Sequence, residues 1–320
     1  MQAERVDTLR QYQDKRQPLF RSHSVTEAGI DEKPEFVIGG VPEHFNIPWH
    51  MVLHGEPLNG LPVRPVWRDF PGGTGEMCRA LASGELDLAV LLTEGIVKHI
   101  HGGGTARVVG TYTDTPLVWG VHVAADGPID SMADLEGACY AISRFGSGSN
   151  LMAALDAAQR GWEEPNYIII GDLEGGRRAL ADRTADAFMW EKTMSLPVVL
   201  DGDWRRVADF AGPWPAFVIA ASSRAMERGL DWLPTLLDRV HAACDAADAD
   251  HAATSEFIGG SYRIPTDAVL SWLDETKWAC RPKVSGAMLG NVTRILFEAG
   301  ILDHPLSSDS LIAGPEWCEQ

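Results

Sequence analysis

The stretch Ala141-Ile142-Ser143-Arg144-Phe145-Gly146-Ser147-Gly148-Ser149-Asn150 runs into Leu151-Met152-Ala153-Ala154-Leu155-Asp156-Ala157-Ala158. It reads as a short strand, a glycine-serine turn and an amphipathic helix. Gly146 and Gly148 supply the backbone freedom a tight turn needs, and Ser147, Ser149 or Asn150 can cap the helix. The N–H groups that open a helix lack partners and carry partial positive charge, so they attract anions. Arg144 adds a charged, fork-shaped donor just before the turn. The same residues also suit a plain strand-to-helix connection. No Gly-Lys-Ser/Thr follows, and the third glycine of G-x-G-x-x-G would fall at Leu151, so the turn is neither a Walker loop nor a dinucleotide fingerprint.

Working outward, the same strand–turn–helix grammar recurs. Phe36-Val37-Ile38 is a short apolar strand ended by Gly39-Gly40, and 61–67 alternates as a second strand. Asp69-Phe70-Pro71-Gly72-Gly73-Thr74-Gly75 leads into a helix that stops at Gly84. Residues 86–92 form an apolar run broken only by Asp87, the look of a buried parallel strand. Strands are expected at 108–112, 117–123, 139–144, 167–170, 185–190 and 217–221, with helices at 149–160 and 174–181. From Met226 onward the chain reads as helical, with candidates at 233–249, 252–259, 265–276 and 286–299. Strands alternating with helices predict a parallel-rich α/β architecture in two lobes with chain crossovers. Ligands of such folds sit where loops leave the carboxyl ends of strands.

The totals narrow the function. The chain has 320 residues, 45 % apolar and 22 % charged, the balance of an ordinary globule with a sizeable core. A net charge of −18 argues against a general nucleic-acid binder, which needs basic surface to neutralise phosphates. Five cysteines are widely spaced with no C-x-x-C, so neither a zinc ribbon nor a disulfide framework is read. His99 and His101 are i, i+2, a poor spacing for joint ligation from a helix, and no metal or other cofactor is expected. No run of 18 apolar residues suggests a membrane span. Residues 1–34 read as a charged N-terminal extension, with 5–16 as a surface helix. No signal peptide is read there, so a cytoplasmic location is expected.

Five motifs, in this order, resemble one known family. They are Val41-Pro42-Glu43-His44-Phe45, the turn Asp69 to Met77, Leu92-Thr93-Glu94-Gly95, Ile142 to Ser149, and Phe188-Met189-Trp190-Glu191-Lys192. The resemblance is to the type II periplasmic-binding-protein superfamily, in its branch near the sulfonate-, nitrate- and thiamine-pyrimidine-binding proteins, and within it to signal-less cytosolic members. It covers roughly 36–300. It implies two α/β lobes, each a mixed, mostly parallel sheet flanked by helices, with a helical C-terminal tail. Lobe I would comprise 35–118 and 213–320, and lobe II 119–212. It also implies a small-molecule ligand in the interlobe cleft, captured by hinge closure. Classical members hand that ligand to an ABC permease.

The ligand-binding candidates are Glu43, His44, Phe45, Thr74, Gly75, Thr93, Glu94, Ser143, Arg144, Gly146, Ser147, Gly148, Ser149, Trp190 and Glu191. Helix N-termini at Thr74 and Ser147, with Arg144, would hold an anionic end. Trp190 and Phe45 would cover a flat, aromatic or heterocyclic face. Trp119 and Trp214, at expected crossovers, either wall the cleft or pack a hinge. Glu191 and Lys192 would pair at the cleft mouth. The alternative function is a cytosolic enzyme on the same scaffold, a lyase, dehydratase or pyrimidine-pathway enzyme. Glu43, His44 and Cys78 would then be its acid, base or nucleophile.

Overall fold

The computed structural model describes residues 33–55 and 58–319. The helix expected at 5–16, and nearly all of the extension 1–34, lie outside the described residues. The strands, in chain order, are β1 (Glu35–Gly40), β2 (Arg64–Asp69), β3 (Leu88–Leu92), β4 (Arg107–Thr113), β5 (Val118–Ala124), β6 (Cys139–Ile142), β7 (Asn166–Ile169), β8 (Ala187–Glu191), β9 (Trp204–Ala211), β10 (Phe217–Ala221), β11 (Trp278–Arg281), β12 (Val284–Ser285) and β13 (Cys318–Glu319).

Six of them form one sheet in the order β11-β4-β10-β3-β1-β2. β1 pairs in parallel with β2 and β3, as the apolar runs predict for strands covered on both faces. β10 returns from far along the chain and lies antiparallel between β3 and β4. Its register sets Phe217 opposite Leu92. Every residue of β10 is buried, which is why Phe-Val-Ile-Ala-Ala suits this central place.

The second sheet has the order β7-β6-β8-β5-β9. β6 is parallel to β7 and β8, while β5 is antiparallel to β8 and β9. Two segments join the sheets, 114–117 and 212–216. They lie side by side, with the Gly212 N–H donating to the Leu117 carbonyl at 3.0 Å and the Ala216 N–H to Thr115 at 2.9 Å. The main apolar cluster is continuous from the first sheet through Trp119 to Leu151 and Met152 in the second. A smaller cluster around Phe188, Leu180 and Trp204 covers the other face of the second sheet.

Three elements differ from the sequence expectation. The C-terminal part is not helical throughout, because β11 adds an edge strand to the first sheet. Its four residues carry a register shift against β4, and Cys280 has φ +33°, so no periodicity marks it. β9 has only Trp204 buried, with the rest half-buried or exposed and Arg205, Arg206 and Asp209 among them, as an edge strand allows. A helix at Ile47–Leu53 follows Asn46, with Pro48 in its first turn.

Candidate ligand cleft

Two helices on opposite lobes open toward one cavity. The helix Thr74–Ser83 starts after Gly73, whose φ of +72° is left-handed backbone that favours glycine. Thr74 Oγ1 accepts the Leu92 N–H at 3.1 Å, and the Glu76 carboxylate accepts the Gly72 N–H at 2.7 Å. These bonds fix the turn against the end of β3. In the second lobe the helix Gly148–Arg160 follows Ser147, whose hydroxyl caps Asn150 and donates to the Arg144 carbonyl at 2.7 Å. Ser149 Oγ accepts the Ser143 N–H at 3.0 Å, and Asn150 Oδ1 accepts the Gly146 N–H at 2.9 Å. The turn is thus braced from inside. The first N–H groups of both helices have no intrahelical acceptor.

The cavity between them has a volume of about 50 Å³, space for a small polar group but not for a whole organic ligand. Gly73, Thr74, Ser143, Ser147, Gly148 and Ser149 form its polar end. Trp119, Trp190, Leu92, Leu117 and Phe217 supply apolar walls, and Glu43 and Glu191 complete it with Val41 and Gly72. Gly148 is required by close approach: a Cβ there would stand 2.5 Å from both Leu92 Cδ1 and the Trp119 ring.

The two carboxyls face the cavity from opposite lobes, and both are buried. Burial, with Glu191 nearby, pushes Glu43 up to about 8. Burial pushes Glu191 up to about 7, although its Oε2 accepts the Met194 N–H at 2.6 Å. Among the described residues no lysine or arginine lines this cavity.

The other candidates lie elsewhere. Arg144 reaches across to the first lobe's turn, where its guanidinium and stem pack against Gly72 and Gly75 near Glu76, with Nη1 buried and unpartnered among the described residues. It does not line the cavity, and neither does Gly75 or Gly146. Thr93 Oγ1 donates to the Pro215 carbonyl at 2.7 Å, and Glu94 Oε2 accepts the Trp214 indole N–H at 2.9 Å. Both therefore tie the second crossover to the first lobe, and Trp214 is buried within that crossover. Trp119, by contrast, walls the cleft. Phe45 and His44 sit in an aromatic cluster, with the His44 ring 4.1 Å from Trp272 and 4.7 Å from Phe45. Phe45 lines a separate cavity of about 160 Å³ on the hinge side with Trp272, Lys192, Arg206 and Glu275, and Glu191 borders both. The smaller cavity is the candidate site, because it alone collects both helix N-termini.

Glu191 and Lys192 do not pair with each other. Lys192 Nζ lies 3.5 Å from Asp209 and 4.0 Å from Glu275, while Glu191 folds back onto its own turn. Glu191 ends β8 and Lys192 opens the turn that follows, which separates them. Glu43, His44 and Cys78 do not converge on one point in the cavity. Burial drives the His44 imidazole down to about 3, and pushes the buried Cys78 thiol up to about 12, the reverse of an activated nucleophile. Val41, Leu117 and Phe217 were invisible as site residues, because an apolar strand residue at a cleft looks like any core residue in sequence.

A family profile described as "Ca3427-like PBP" matches residues 119–209. No curated protein matches the chain by sequence. Among solved structures, the Candida albicans CA3427 gene product, described as having the generic periplasmic binding protein fold, aligns with a TM-score of 0.81 at 21 % identity, over 87 % of this chain and 96 % of that one. The alkanesulfonate-binding protein SsuA of Xanthomonas axonopodis pv. citri, bound to MOPS, aligns with a TM-score of 0.73 at 16 % identity, over 91 % of this chain and 100 % of that one. The periplasmic aliphatic sulphonate binding protein SsuA of Escherichia coli gives 0.65 at 18 %, over 88 % and 92 %. Two α/β sheets, paired crossovers and these alignments agree: the chain has the two-lobed fold of the type II periplasmic-binding-protein superfamily.

Proposed function

We propose that the chain is a solute-binding protein that takes a small molecule with an oxyanion end into the interlobe cleft and closes over it. The observation that carries this reading is the pair of helix N-termini, at Thr74 and Gly148, lining one cavity from opposite lobes. Their unpaired N–H groups, with the Thr74, Ser147 and Ser149 hydroxyls beside them, suit a sulfonate, carboxylate or phosphate-like group. Trp119, Trp190 and Phe217 favour a flat ring or apolar body behind that group. The SsuA structures bring sulfonates to the front of the candidates.

The small cavity corresponds to a closed arrangement, so entry requires the lobes to part about the two crossovers. Ligand then shifts the open–closed equilibrium by its higher affinity for the closed form. An ABC permease is the partner such a role implies. The test is thermal unfolding of the full chain with alkanesulfonates, pyrimidines and aromatic acids, followed by calorimetry. A true ligand at 100 times its Kd stabilises by about 2.7 kcal/mol. A panel that leaves melting unchanged would sink this reading.

A further inference from the structure

We propose that Glu43 of the first lobe and Glu191 of the second form a cation-accepting subsite, so that the ligand is a zwitterion with an organic ammonium at this end and its oxyanion at the helix N-termini. The proposal rests on reading the cleft as a ligand site, and it names the class of ligand.

Both carboxyls line the same cavity from opposite sides, and each is more than nine-tenths buried, at 8 % and 3 % exposure. Among the described residues only burial and the Glu191 charge act on the Glu43 carboxyl, with no hydrogen bond to it, so a nine-tenths-buried side chain lines the cavity without a protein partner. Buried polar groups are normally satisfied, and an exception calls for an absent partner.

The protein supplies no counter-ion. Lys192, next to Glu191, is turned to Asp209 and Glu275, with Arg206 beside Asp209. Arg144 and Glu76 reach Gly72 but are not among the residues that line the cavity. His44, next to Glu43, is enclosed by aromatic rings and held neutral by burial. In the closed cleft the two like charges are relieved by a proton on Glu43, which burial and Glu191 push up to about 8. An ammonium group entering between them takes over that role, and the displaced proton leaves to solvent. The Trp119, Trp190 and Phe217 rings offer faces to an organic cation. A bare divalent cation would need more oxygen ligands than two carboxylates provide. Because the pair spans the lobes, the cationic end also draws the jaws together.

The experiment is calorimetry on the full chain with 2-aminoethanesulfonate and 3-aminopropanesulfonate against ethanesulfonate and propanesulfonate. The amino compounds are expected to bind at least about tenfold tighter. Their affinity rises with pH between pH 6 and 7.5, by up to about tenfold per pH unit for each of the two carboxyls that must lose a proton. Proton release appears as a dependence of the binding heat on buffer ionisation enthalpy. Glu43→Gln and Glu191→Gln each reduce the amino preference, and each reduces the proton release. If either variant folds poorly, the wild-type pH slope and proton release decide alone. Equal or weaker binding of the amino compounds overturns the cation subsite and leaves the oxyanion reading standing. Binding of none of the four overturns both.

Discussion

Trp214 donates its indole N–H to the Glu94 carboxyl at 2.9 Å, with both side chains buried. Trp214 belongs to the second connecting segment, and Glu94 opens the helix that follows β3, so this bond joins the Thr93 contacts in fastening that segment to the first lobe. Trp214→Phe keeps the ring and removes the donor, leaving a buried carboxyl without it. The expected loss is about 1–3 kcal/mol of stability, read by urea unfolding. An unchanged midpoint would show that the bond carries no net stabilisation.

His44 is buried with neither ring nitrogen hydrogen-bonded, against Trp272 and Phe45. Replacing it by phenylalanine removes two orphaned polar atoms at similar shape. We expect His44→Phe to stabilise the chain by about 1 kcal/mol. Its acid unfolding should also shift to lower pH, since a histidine held near 3 in the folded state draws the chain open as acid protonates it. A large destabilisation would instead reveal a partner for the imidazole.

The pH dependence of stability has a definite sign. Glu43, Glu94 and Glu191 are raised to about 8, 7 and 7, so the folded state holds more protons than the unfolded one above the usual glutamate value. Stability from these groups is present at low pH and is lost as pH rises through their folded values. His44, His50 and His122 are lowered to about 3, 4 and 4 and work in the opposite direction below pH 6.5. The window from pH 6.5 to 8 therefore isolates the carboxyls, with Glu43 titrating last. Stability should fall across it, with Glu43 contributing roughly 1–2 kcal/mol. Glu43→Gln should flatten the slope in denaturant melts at the two pH values, and an identical slope would remove Glu43 from this role.

Gly148 stands against Leu92 of the first lobe and Trp119 of its own. Gly148→Ala places a methyl 2.5 Å from Leu92 and the Trp119 ring, while alanine is the better helix former. The expected variant melts within about 1 kcal/mol of the parent. Small-angle scattering should show it more open without ligand. A scattering curve identical to the parent's would show that Leu92 and Trp119 yield without parting the lobes.

Arg144→Ala tests a different contact. The side chain crosses from the second lobe onto Gly72 and Gly75, so its loss should weaken ligand binding through the closed state. We expect faster ligand release, with unfolding of the free chain changed by less than about 0.5 kcal/mol, the usual effect of a partly exposed substitution. An equal loss in ligand affinity and in stability would make Arg144 a structural residue.

How much of this was legible beforehand depends on the kind of signal. The stretch 141–158 gave the turn, the Ser147 cap and the helix, because those are local chemistry. The β3 and β10 runs announced themselves by uninterrupted apolar residues. β9 did not, because its charges belong to an exposed edge, and four-residue β11 is held by pairing and by Arg281 bonded to Asp114 and Glu319. Within the cleft, Thr74 and Ser147 to Ser149 were readable as helix starts. That Glu43 shares a cavity with Glu191, 148 positions later by subtraction of their numbers, was not, since only the packing of the two lobes brings them to one lining. Arg144 reads in sequence as a donor beside its own turn, and its packing onto Gly72 and Gly75 of the opposing lobe was not readable, because that contact is set by how the two lobes pack.

The insertion of β10 between β3 and β4 sets an order on synthesis. The first sheet lacks a central strand until residues 217–221 leave the ribosome, after everything in the second sheet has been made. The second sheet is drawn from one uninterrupted segment, 118–211, and can complete itself while the first waits with two unpaired inner edges. At about 5–20 residues per second that wait lasts several seconds, and exposed strand edges are where chains aggregate. Pulsed hydrogen exchange on stalled nascent chains should find protection in 118–211 before it appears in 35–113. Early protection of β3 and β4 would mean that another segment holds β10's place until it arrives.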